Sequence, residues 1–322
     1  MILVHWLILV NLVAFILYGM DKSYAKKGAR RIPEKTLLFW AWIGGSIGAF
    51  LGMKIFHHKT LKPKFAVTVP LLMVLEFVIC GFCLYQNYHL TVSEYDVDLG
   101  LEKDITIVQV SDLHNQVFGI GESSLLKKIE AADPDIIVVT GDIVDSTHTS
   151  YSIAMDFVEG AVKIAPVYYV TGNHEDRLHG DKLDKFYEDM RKAGVIFLDD
   201  TYVDMDGYVL AGIADSSLES FDAYTAFSDE KPVVMLAHEP KYYSLYQELG
   251  ADLVLTGHVH GGQIIFPGKG GFLSPDFTFF PELYEGMHDL GGMDLIVSRG
   301  LGNSVAPVRI NDYPELVVVK AS

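Results

Sequence analysis

Three long apolar segments open the chain, separated by short basic stretches. They are Ile2–Met20, Leu37–Phe56 and Phe65–Tyr85. Each approaches the roughly 20 residues that a helix needs to cross the hydrocarbon core of a membrane. Three such segments so close together favour membrane insertion over buried helices of a soluble domain. We therefore predict an α-helical transmembrane region over residues 1–88.

The second apolar segment differs from the other two in its glycine content. Gly44, Gly45, Gly48 and Gly52 recur at near-helical spacing. A face of small residues suits close packing between helices, and it also suits a broken segment that enters the membrane and returns. The sequence leaves both interpretations open.

From Asp104 onward the apolar runs become short, and several are separated by polar-apolar helical stretches. The strands predicted before the motifs described below are Ile105–Val110, Asp135–Thr140, Val167–Thr171, Val233–His238 and Leu253–Thr256. The predicted helices are Ser123–Ala132, Tyr151–Lys163 and Lys182–Ala193. Further strands, in closer β–β order, are Tyr208–Gly212, Gln263–Phe266, Asp294–Ser298 and Glu315–Val319. This order predicts a layered α/β domain over residues 89–322, with its site at the carboxyl ends of the strands.

Five short polar blocks follow these apolar runs. They are Asp112-Leu-His114, Gly141-Asp142-Ile-Val-Asp145, Gly172-Asn173-His174-Glu175, His238 and Gly257-His258-Val-His260. Each places carboxylate, amide or imidazole groups where a strand ends. Imidazole suits zinc, iron and manganese, whereas carboxylates suit magnesium and manganese, so the mixture favours a pair of transition-metal ions over calcium. The sequence therefore predicts a dinuclear metallohydrolase that acts on a phosphoryl group.

In this order, the blocks DxH, GDxxD, GNHE, a single His and GHxH resemble the calcineurin-like metallophosphoesterases, over residues 105–320. The resemblance implies a two-sheet αββα sandwich and two divalent ions, with manganese, iron or zinc as candidates. It also implies that Asp142 bridges both ions and that a metal-bridging hydroxide attacks phosphorus in line. The other implied ligands are Asp112, His114 and His260 for one ion, and Asn173, His238 and His258 for the other.

Two residues beside the implied ligands have predicted catalytic roles. His174 directly follows Asn173 and is placed to protonate the leaving oxygen or to brace the phosphate. The resemblance implies that Asp145 orients the His174 imidazole. A flat strand would send His258 and His260 to one face, so we predict an irregular turn that aims them at neighbouring ions.

One arginine of the family is missing. Ser/Thr protein phosphatases continue GDxxD with Arg-Gly, whereas this chain reads Asp145-Ser146-Thr147, so a protein phosphatase is disfavoured. The segment Ser298-Arg299-Gly300-Leu-Gly302 resembles one in the membrane-linked branch of the family, which includes UDP-2,3-diacylglucosamine hydrolases. Arg299 is therefore a candidate to bind the phosphate in place of the missing arginine, because a guanidinium binds phosphate oxygens in a fork. A surface arginine that caps a turn is the alternative.

A Gly- and Pro-rich stretch between His260 and Asp294 carries an aromatic group of residues. They are Phe266, Phe272, Phe277, Phe279, Phe280 and Tyr284. The stretch is either a loop packed on the second sheet or an apolar rim for an acyl chain.

We expect a phosphodiesterase or pyrophosphatase that acts on a lipid-linked or amphiphilic phosphate. A broad phosphomonoesterase and a membrane sensor with little turnover are the alternatives.

Charge is divided unevenly along the chain. Residues 1–85 hold ten of the 25 Lys and Arg residues and three of the 42 Asp and Glu residues, which gives +7 there and −24 in the remainder. An acidic surface of this kind would repel a phosphate backbone, so we expect no nucleic-acid partner. The only cysteines, Cys80 and Cys83, lie in an apolar segment, which excludes a thiolate metal site in the C-terminal domain.

The basic residues concentrate in two links, Asp21–Lys35 with six and His57–Lys64 with three. The stretch from DKSYAKKGARRIPEKTL to GGSIGAFLGMKIFHHKT resembles a small bacterial membrane domain of unknown function, over residues 10–85. Its basic links suit a membrane surface with anionic lipid.

The side of the membrane that the C-terminal domain faces depends on the second segment. If all three segments cross, the more basic link shares a side with that domain, and the positive-inside rule favours the cytoplasm. If the second segment enters and returns, both links are cytoplasmic and the domain faces outward. We expect a multi-pass cell-membrane protein with a cytoplasmic domain, because three full spans leave no backbone exposed to lipid.

Overall fold

Two compact units make up the chain, Met1–Tyr85 and Gln86–Ser322. The structure is a computed structural model, and it describes residues 2–219, 231–303 and 308–322. The division between the units lies close to the predicted domain boundary after residue 88.

The N-terminal unit is helical. Its helices are α1 (Ile2–Lys27), α2 (Glu34–Trp40), α3 (Ser46–Ile55) and α4 (Pro63–Tyr88), which continues past the end of the unit. A π-helical turn, Ala41–Gly45, separates α2 from α3. By length and composition, three helical stretches are apolar enough to cross a membrane: His5–Lys27, Glu34–Ile55 and Pro63–Tyr88.

The C-terminal unit contains two six-stranded mixed sheets. In spatial order, the first sheet consists of β1 (Thr91–Val97), β14 (Glu315–Ala321), β2 (Ile105–Val110), β3 (Ile136–Thr140), β4 (Val167–Val170) and β5 (Ile196–Phe197). The second consists of β12 (Gly286–Asp289), β13 (Asp294–Val297), β9 (Leu253–Thr256), β8 (Val233–Leu236), β7 (Val209–Gly212) and β6 (Thr201–Asp204). A short hairpin pairs β10 (Ile265–Phe266) with β11 (Gly270–Gly271).

Helices cover the outer faces of both sheets. On the first sheet lie α5 (Ser123–Ala131), α6 (Tyr151–Ala161) and α8 (Asp181–Ala193), whereas α9 (Tyr243–Glu248) packs on the second. The four-residue helix α7 (Asn173–Asp176) follows β4. The structure thus confirms the predicted α/β fold, a two-sheet αββα sandwich with apolar helices before it.

The layer between the sheets is built from β-branched and leucine side chains. Ile107 and Val138 of the first sheet pack in one cluster with Leu236 and Leu255 of the second, and all four are fully buried. Burying each such side chain contributes about 1.5–3 kcal/mol. Because β2, β3 and β4 are parallel to one another, as are β8 and β9, their carboxyl ends meet at one edge of each sheet.

Candidate metal centre

The five polar blocks converge where these parallel strands end. Asp112 and His114 follow β2, Asp142 follows β3, and Asn173 and His174 begin α7 directly after β4. From the second sheet, His238 follows β8, and His258 and His260 follow β9. All of these side chains except Asn173, which is half-buried, are buried.

One group of ligand atoms gathers around Asp112. The Asp112 Oδ1 atom lies 3.3 Å from His260 Nε2 and 3.7 Å from His114 Nε2. The two imidazole Nε2 atoms are themselves 3.1 Å apart. One carboxylate and two imidazoles therefore aim at a common point, as ligands of a divalent cation do.

A second group gathers around His238. Its Nε2 atom lies 3.2 Å from Asp142 Oδ2 and 3.3 Å from His258 Nδ1. The same Asp142 oxygen lies 3.5 Å from His114 Nε2 of the first group. Asp142 therefore stands between the two groups, which is the position that a bridging carboxylate requires.

The turn after β9 aims its two histidines at different groups. His258 contacts His238, whereas His260 contacts Asp112 and His114. The backbone alternates between left-handed and right-handed conformations, with φ of 67° at His258, −77° at Val259 and 52° at His260. The structure confirms the predicted irregular turn.

The same left-handed backbone recurs at three more predicted ligands: Asp112 (φ 52°), His114 (φ 46°) and Asp142 (φ 53°). Residues other than glycine rarely adopt this conformation, and each instance costs on the order of 1–3 kcal/mol. Such strain clusters at functional sites, where it fixes side-chain directions that regular structure does not offer.

Close packing also demands glycine beside the ligands. A Cβ atom at Gly257 would lie 1.9 Å from Ser111 Oγ and 2.2 Å from Asp112 Oδ2. A Cβ atom at Gly172 would lie 2.4 Å from Asp142 Oδ1. These two glycines let neighbouring turns approach the carboxylates at backbone distance.

The donor set fits divalent ions in its hydrogen bonding as well as in its composition. His238 Nδ1 faces the Thr140 carbonyl at 2.8 Å, and His260 Nδ1 faces the Gly302 carbonyl at 3.2 Å. Each Nδ1 therefore carries the proton, and each Nε2 keeps a lone pair for a cation. Asn173 Oδ1 is buried and has no hydrogen-bond partner among the described residues, which also suits a ligand atom.

The electrostatics of the site favour bound positive charge. Burial alone would raise the pKa of Asp142, but the neighbouring His238 holds it well below its usual value. Burial alone would lower the pKa of His238, but Asp142 raises it well above its usual value. The charge of Asp142 thus favours a positively charged partner at this position, which a bound cation would supply in place of a proton on His238.

Glu175 connects the turns that carry the ligands, a role that the motif alone did not reveal. Its buried carboxylate accepts hydrogen bonds from the backbone N–H groups of Asp142 (2.8 Å), Gly172 (2.9 Å) and Val144 (3.1 Å). Its spacing from Gly172, three residues, is that of a helix-capping carboxylate, and this signal was available in the sequence.

The predicted partnership of Asp145 with His174 is not formed. His174 Nδ1 instead accepts a hydrogen bond from the backbone N–H of Ser146 at 3.0 Å. Asp145 Oδ1 accepts from Thr147 and His148, because the carboxylate closes its own turn, and Asp145 Oδ2 lies 3.8 Å from His114 Nδ1. With an N–H donor at Nδ1, the proton of neutral His174 resides on Nε2.

The geometry does not support Arg299 as the phosphate-binding residue. Its guanidinium donates to Glu315 Oε1 at 3.0 Å and to Thr91 Oγ1 at 3.2 Å. Two carboxylates therefore pair with it: Glu315 of β14, at 3.0 Å, and Glu285, at 3.5 Å. The predicted alternative, a surface arginine, also fails because the side chain is only 14% exposed.

Sequence reasoning missed Arg309, which supports the site from behind. This fully buried guanidinium donates to the backbone carbonyls of Arg299, Gly300 and Gly302. Gly302 in turn faces His260 Nδ1. No motif marks Arg309, so its role emerges only from the fold.

A charged rim borders the second group of ligands. Asp276 Oδ1 lies 3.7 Å from His258 Nε2, and Asp276 Oδ2 lies 3.5 Å from Lys241 Nζ. Lys241 also pairs with the largely buried Glu239. Asp276 belongs to the aromatic stretch, so this stretch reaches the edge of the metal centre.

Comparison with known proteins agrees with this geometry. The profile of the calcineurin-like phosphoesterase family matches residues 105–262, and that of DUF1294, a family of unknown function, matches residues 11–65. An uncharacterized metallophosphoesterase of Aquifex aeolicus (strain VF5) is 28% identical over 267 residues, which cover 77% of this chain and 97% of the relative.

Two further relatives match smaller shares of the chain. The phosphodiesterase YaeI of Escherichia coli (strain K12) is 26% identical over 192 residues, 58% of this chain and 70% of the relative. The uncharacterized protein YsdA of Bacillus subtilis (strain 168) is 40% identical over 79 residues, 24% of this chain and 89% of the relative.

Proposed function

We propose a substrate class from the premise that the chain belongs to the calcineurin-like phosphoesterase family and is a metal-dependent phosphoester hydrolase. The proposed activity is that of a membrane-anchored phosphodiesterase or pyrophosphatase with two metal ions, acting on a lipid-linked or amphiphilic phosphate. The observation that carries the hydrolytic part is the position of Asp142 between two groups of imidazole and carboxylate ligands.

The residues that would hold the metals follow the two groups, and the family resemblance adds Asn173 to the second. Asp112, His114 and His260 would hold one ion, Asn173, His238 and His258 would hold the other, and Asp142 would contact both. Two bound divalent ions supply Lewis acidity and water activation at neutral pH. Glu175 and Arg309 keep the ligand-bearing turns in place.

His174 is placed to act on the phosphoryl group rather than on a metal. Its backbone N–H donates to Asp142 Oδ1 at 2.8 Å, and its ring packs edge-on against His114 with the ring centroids 4.5 Å apart. Because Ser146 donates to Nδ1, the Nε2–H group of His174 remains to brace a phosphate oxygen or to protonate the leaving oxygen.

An exposed apolar surface beside the metal centre supports an amphiphilic substrate. We define the phenylalanine surface as Phe266, Phe277, Phe279 and Phe280, whose side chains are 42%, 75%, 63% and 43% exposed. Phe277 directly follows Asp276, which lies 3.7 Å from His258. Phenyl rings so exposed are uncommon away from binding surfaces, and these border a phosphate-binding site.

The N-terminal helices support membrane anchorage. The most apolar 18-residue window of Pro63–Tyr88 has a mean hydropathy of 2.4, and only 6% of that window is buried within the structure. A lipid environment would cover this apolar surface, as it does for spanning helices. Anchorage places the enzyme where amphiphilic phosphates are most concentrated.

Substrate assays test the proposed function directly. The full chain in lipid nanodiscs with added Mn²⁺ should hydrolyse bis-(p-nitrophenyl) phosphate with a higher kcat/KM than any phosphopeptide. The physical reason is that Ser/Thr protein phosphatases have a phosphate-binding arginine after GDxxD. In this chain Ser146 occupies that position, and its backbone N–H binds His174. Phosphopeptides proving the better substrates would contradict the proposed class.

The phenylalanine surface yields a second prediction. Alkyl p-nitrophenyl phosphates should gain roughly tenfold or more in kcat/KM from methyl to butyl, because each buried methylene contributes about 0.8 kcal/mol. The double variant Phe277→Ser/Phe279→Ser should lose this gain and keep methyl ester turnover. Ile120→Ser removes an apolar side chain that is 97% exposed elsewhere and serves as the control. An unchanged butyl-to-methyl ratio in the double variant would refute the role of this surface.

A further inference from the structure

The second apolar stretch folds back along α1. At one end, Ile32 N–H donates to Asp21 Oδ1 at 3.0 Å. In the middle, Gly44 and Gly48 meet α1 near Leu7 and Asn11.

Two contacts show that the stretch returns along α1, one made by α3 and one by Phe56, the residue directly after α3. A Cβ atom at Gly52 would lie 2.8 Å from Tyr18 Cβ, and Phe56 packs against Gly19. His58 then contacts Asp21 again, at 2.7 Å. The chain therefore leaves the level of Asp21, reaches that of Leu7, and comes back to that of Asp21.

The turning point is a true break in the helix. Ile43 has φ −84° and ψ 19°, and Gly44 has φ 109°. The Asn11 side chain satisfies the freed backbone: its Nδ2 donates to the Gly44 carbonyl at 2.8 Å, and its Oδ1 accepts from Gly48 N–H at 2.7 Å. Non-helical backbone at membrane depth requires such internal partners.

The reach of this hairpin falls short of a bilayer. Leu7 and Asp21 are fourteen residues apart on α1, which corresponds to about 21 Å at 1.5 Å per residue. A hydrocarbon core is about 30 Å thick, so a segment that turns beside Leu7 does not cross it.

Both basic links meet at one end of the N-terminal unit. Asp21 is fully buried and pairs with Arg31 at 2.7 Å and with Lys59 at 3.5 Å. Lys22 donates to the His57 carbonyl at 2.9 Å. Links joined by direct ion pairs and hydrogen bonds lie on the same side of a membrane.

Helix α4 leaves this basic end and runs past the tip of the hairpin. Near its start, Phe65 packs edge-on against Tyr18, with ring centroids 6.1 Å apart. Farther along, Glu76 accepts a hydrogen bond from Ser46, beside the turning point. The 26 residues of α4 correspond to about 39 Å, enough to cross.

We propose that Glu34–Ile55 is a re-entrant helical hairpin, that the basic end sits on the anionic lipids of the cytoplasmic leaflet, and that the metallophosphoesterase domain lies on the outer side. This inference rests on the membrane anchorage proposed above. All ten Lys and Arg residues of residues 1–85 lie between Lys22 and Lys64, within or beside the joined links. Cationic links stay on the cytoplasmic side, and each such residue near anionic lipid contributes about 1 kcal/mol.

The proposal replaces the cytoplasmic location that the sequence favoured. That expectation assumed three complete crossings, whereas the contacts of Asn11 and Asp21 bring the second stretch back to its starting level. With two crossings, the substrate pool is the set of phosphodiesters and pyrophosphates exposed on the outer face of the membrane.

Single-cysteine labelling tests the arrangement without relying on activity. In the full chain with Cys80→Ala and Cys83→Ala, one cysteine is introduced at Ala29, Leu61 or Ser322, all exposed and uncharged. In intact bacterial cells, a membrane-impermeant maleimide should label Ser322→Cys and spare Ala29→Cys and Leu61→Cys until the cells are lysed. Ala25→Cys and Thr60→Cys provide a second position in or beside each link.

Two labelling patterns would overturn the proposal. If Ala29→Cys shares the side of Ser322→Cys while Leu61→Cys lies opposite, the second stretch crosses completely. If both links are labelled and Ser322→Cys is spared, the orientation is reversed. Loss of the chain from carbonate-washed membranes would instead refute anchorage, and absent diester hydrolysis with the expected labelling would refute only the enzymatic proposal.

The hairpin itself has a matched pair of variants. A Cβ atom at Gly48 would lie 1.9 Å from the Asn11 carbonyl oxygen, whereas a Cβ atom at Gly81 of α4 would meet nothing within 4 Å. Gly48→Leu should therefore increase proteolysis of the two links several-fold in inverted inner-membrane vesicles, which expose the cytoplasmic side, and Gly81→Leu should not. Equal proteolysis of both variants would contradict the packing on which the hairpin depends.

Discussion

Replacing Asp142 with asparagine should release bound metal and abolish nearly all hydrolysis of bis-(p-nitrophenyl) phosphate. The substitution keeps the size of the side chain but removes the negative charge, and the Asp142 Oδ2 atom lies 3.5 Å from His114 Nε2 and 3.2 Å from His238 Nε2. One unit charge at about 4 Å from a cation contributes about 4 kcal/mol at an effective dielectric constant of 20, so the loss should reach on the order of 10³-fold.

Metal content per chain, measured by inductively coupled plasma mass spectrometry, checks this result alongside kcat/KM. Asp133→Asn is the matched control because Asp133 is exposed and shares the left-handed backbone of Asp142, with φ of 48° against 53°. The control should retain both metal and activity. Full metal content in Asp142→Asn would show that this carboxylate does not bridge two ions.

The strands that carry the site were predictable because each is a compact apolar run ending in a polar block. Ile105–Val110 and Leu253–Thr256 are found at the predicted bounds. Both strands are buried, so most of their residues are apolar and the ends of the apolar run mark the ends of the strand. The strand Thr91–Val97 was missed because its residues alternate between polar and apolar at the edge of a sheet. It pairs in parallel with β14, which lies more than 200 residues later in the sequence, so no local pattern reveals this strand.

The membrane segments show a similar limit. Length and composition identified all three, and the glycines of the second raised the re-entrant interpretation. The choice between that interpretation and a full span depends on Asn11 and Asp21, which lie in α1 and not in the second segment. The Asn11 side chain binds the backbone of the broken helix at Gly44, 33 residues away in the sequence. No local sequence pattern predicts such a hydrogen bond.

The ligands of the metal centre were predictable as residue types in order, but their supports were not. The left-handed backbone at Asp112, His114 and Asp142 follows from the crowding of several turns, which no single turn reveals. Arg299 and Asp145 were assigned by resemblance, and each finds a nearer partner in this fold: Glu315 for Arg299 and the N–H groups of its own turn for Asp145. Both side chains are therefore occupied by partners within the protein that the family resemblance does not reveal.

His174→Ala tests the remaining catalytic assignment, because this side chain is placed to touch the substrate. The variant should keep both metals and lose about 10²–10⁴-fold in kcat, the usual contribution of a positioned acid or base. The reason is geometric: Ser146 N–H occupies Nδ1 at 3.0 Å, so Nε2–H is the group available to a phosphate oxygen or leaving group.

The leaving group distinguishes proton transfer from phosphate binding in this variant. If His174 protonates the leaving oxygen, a diester with a p-nitrophenolate leaving group needs little help, whereas one with an alkoxide leaving group should lose far more rate in His174→Ala. Equal losses for both would indicate that the Nε2–H group braces the phosphate instead. His148→Ala is the control, since this neighbouring histidine is 57% exposed and should leave both rates unchanged. Loss of metal from His174→Ala equal to that of Asp142→Asn would assign His174 to the ligands.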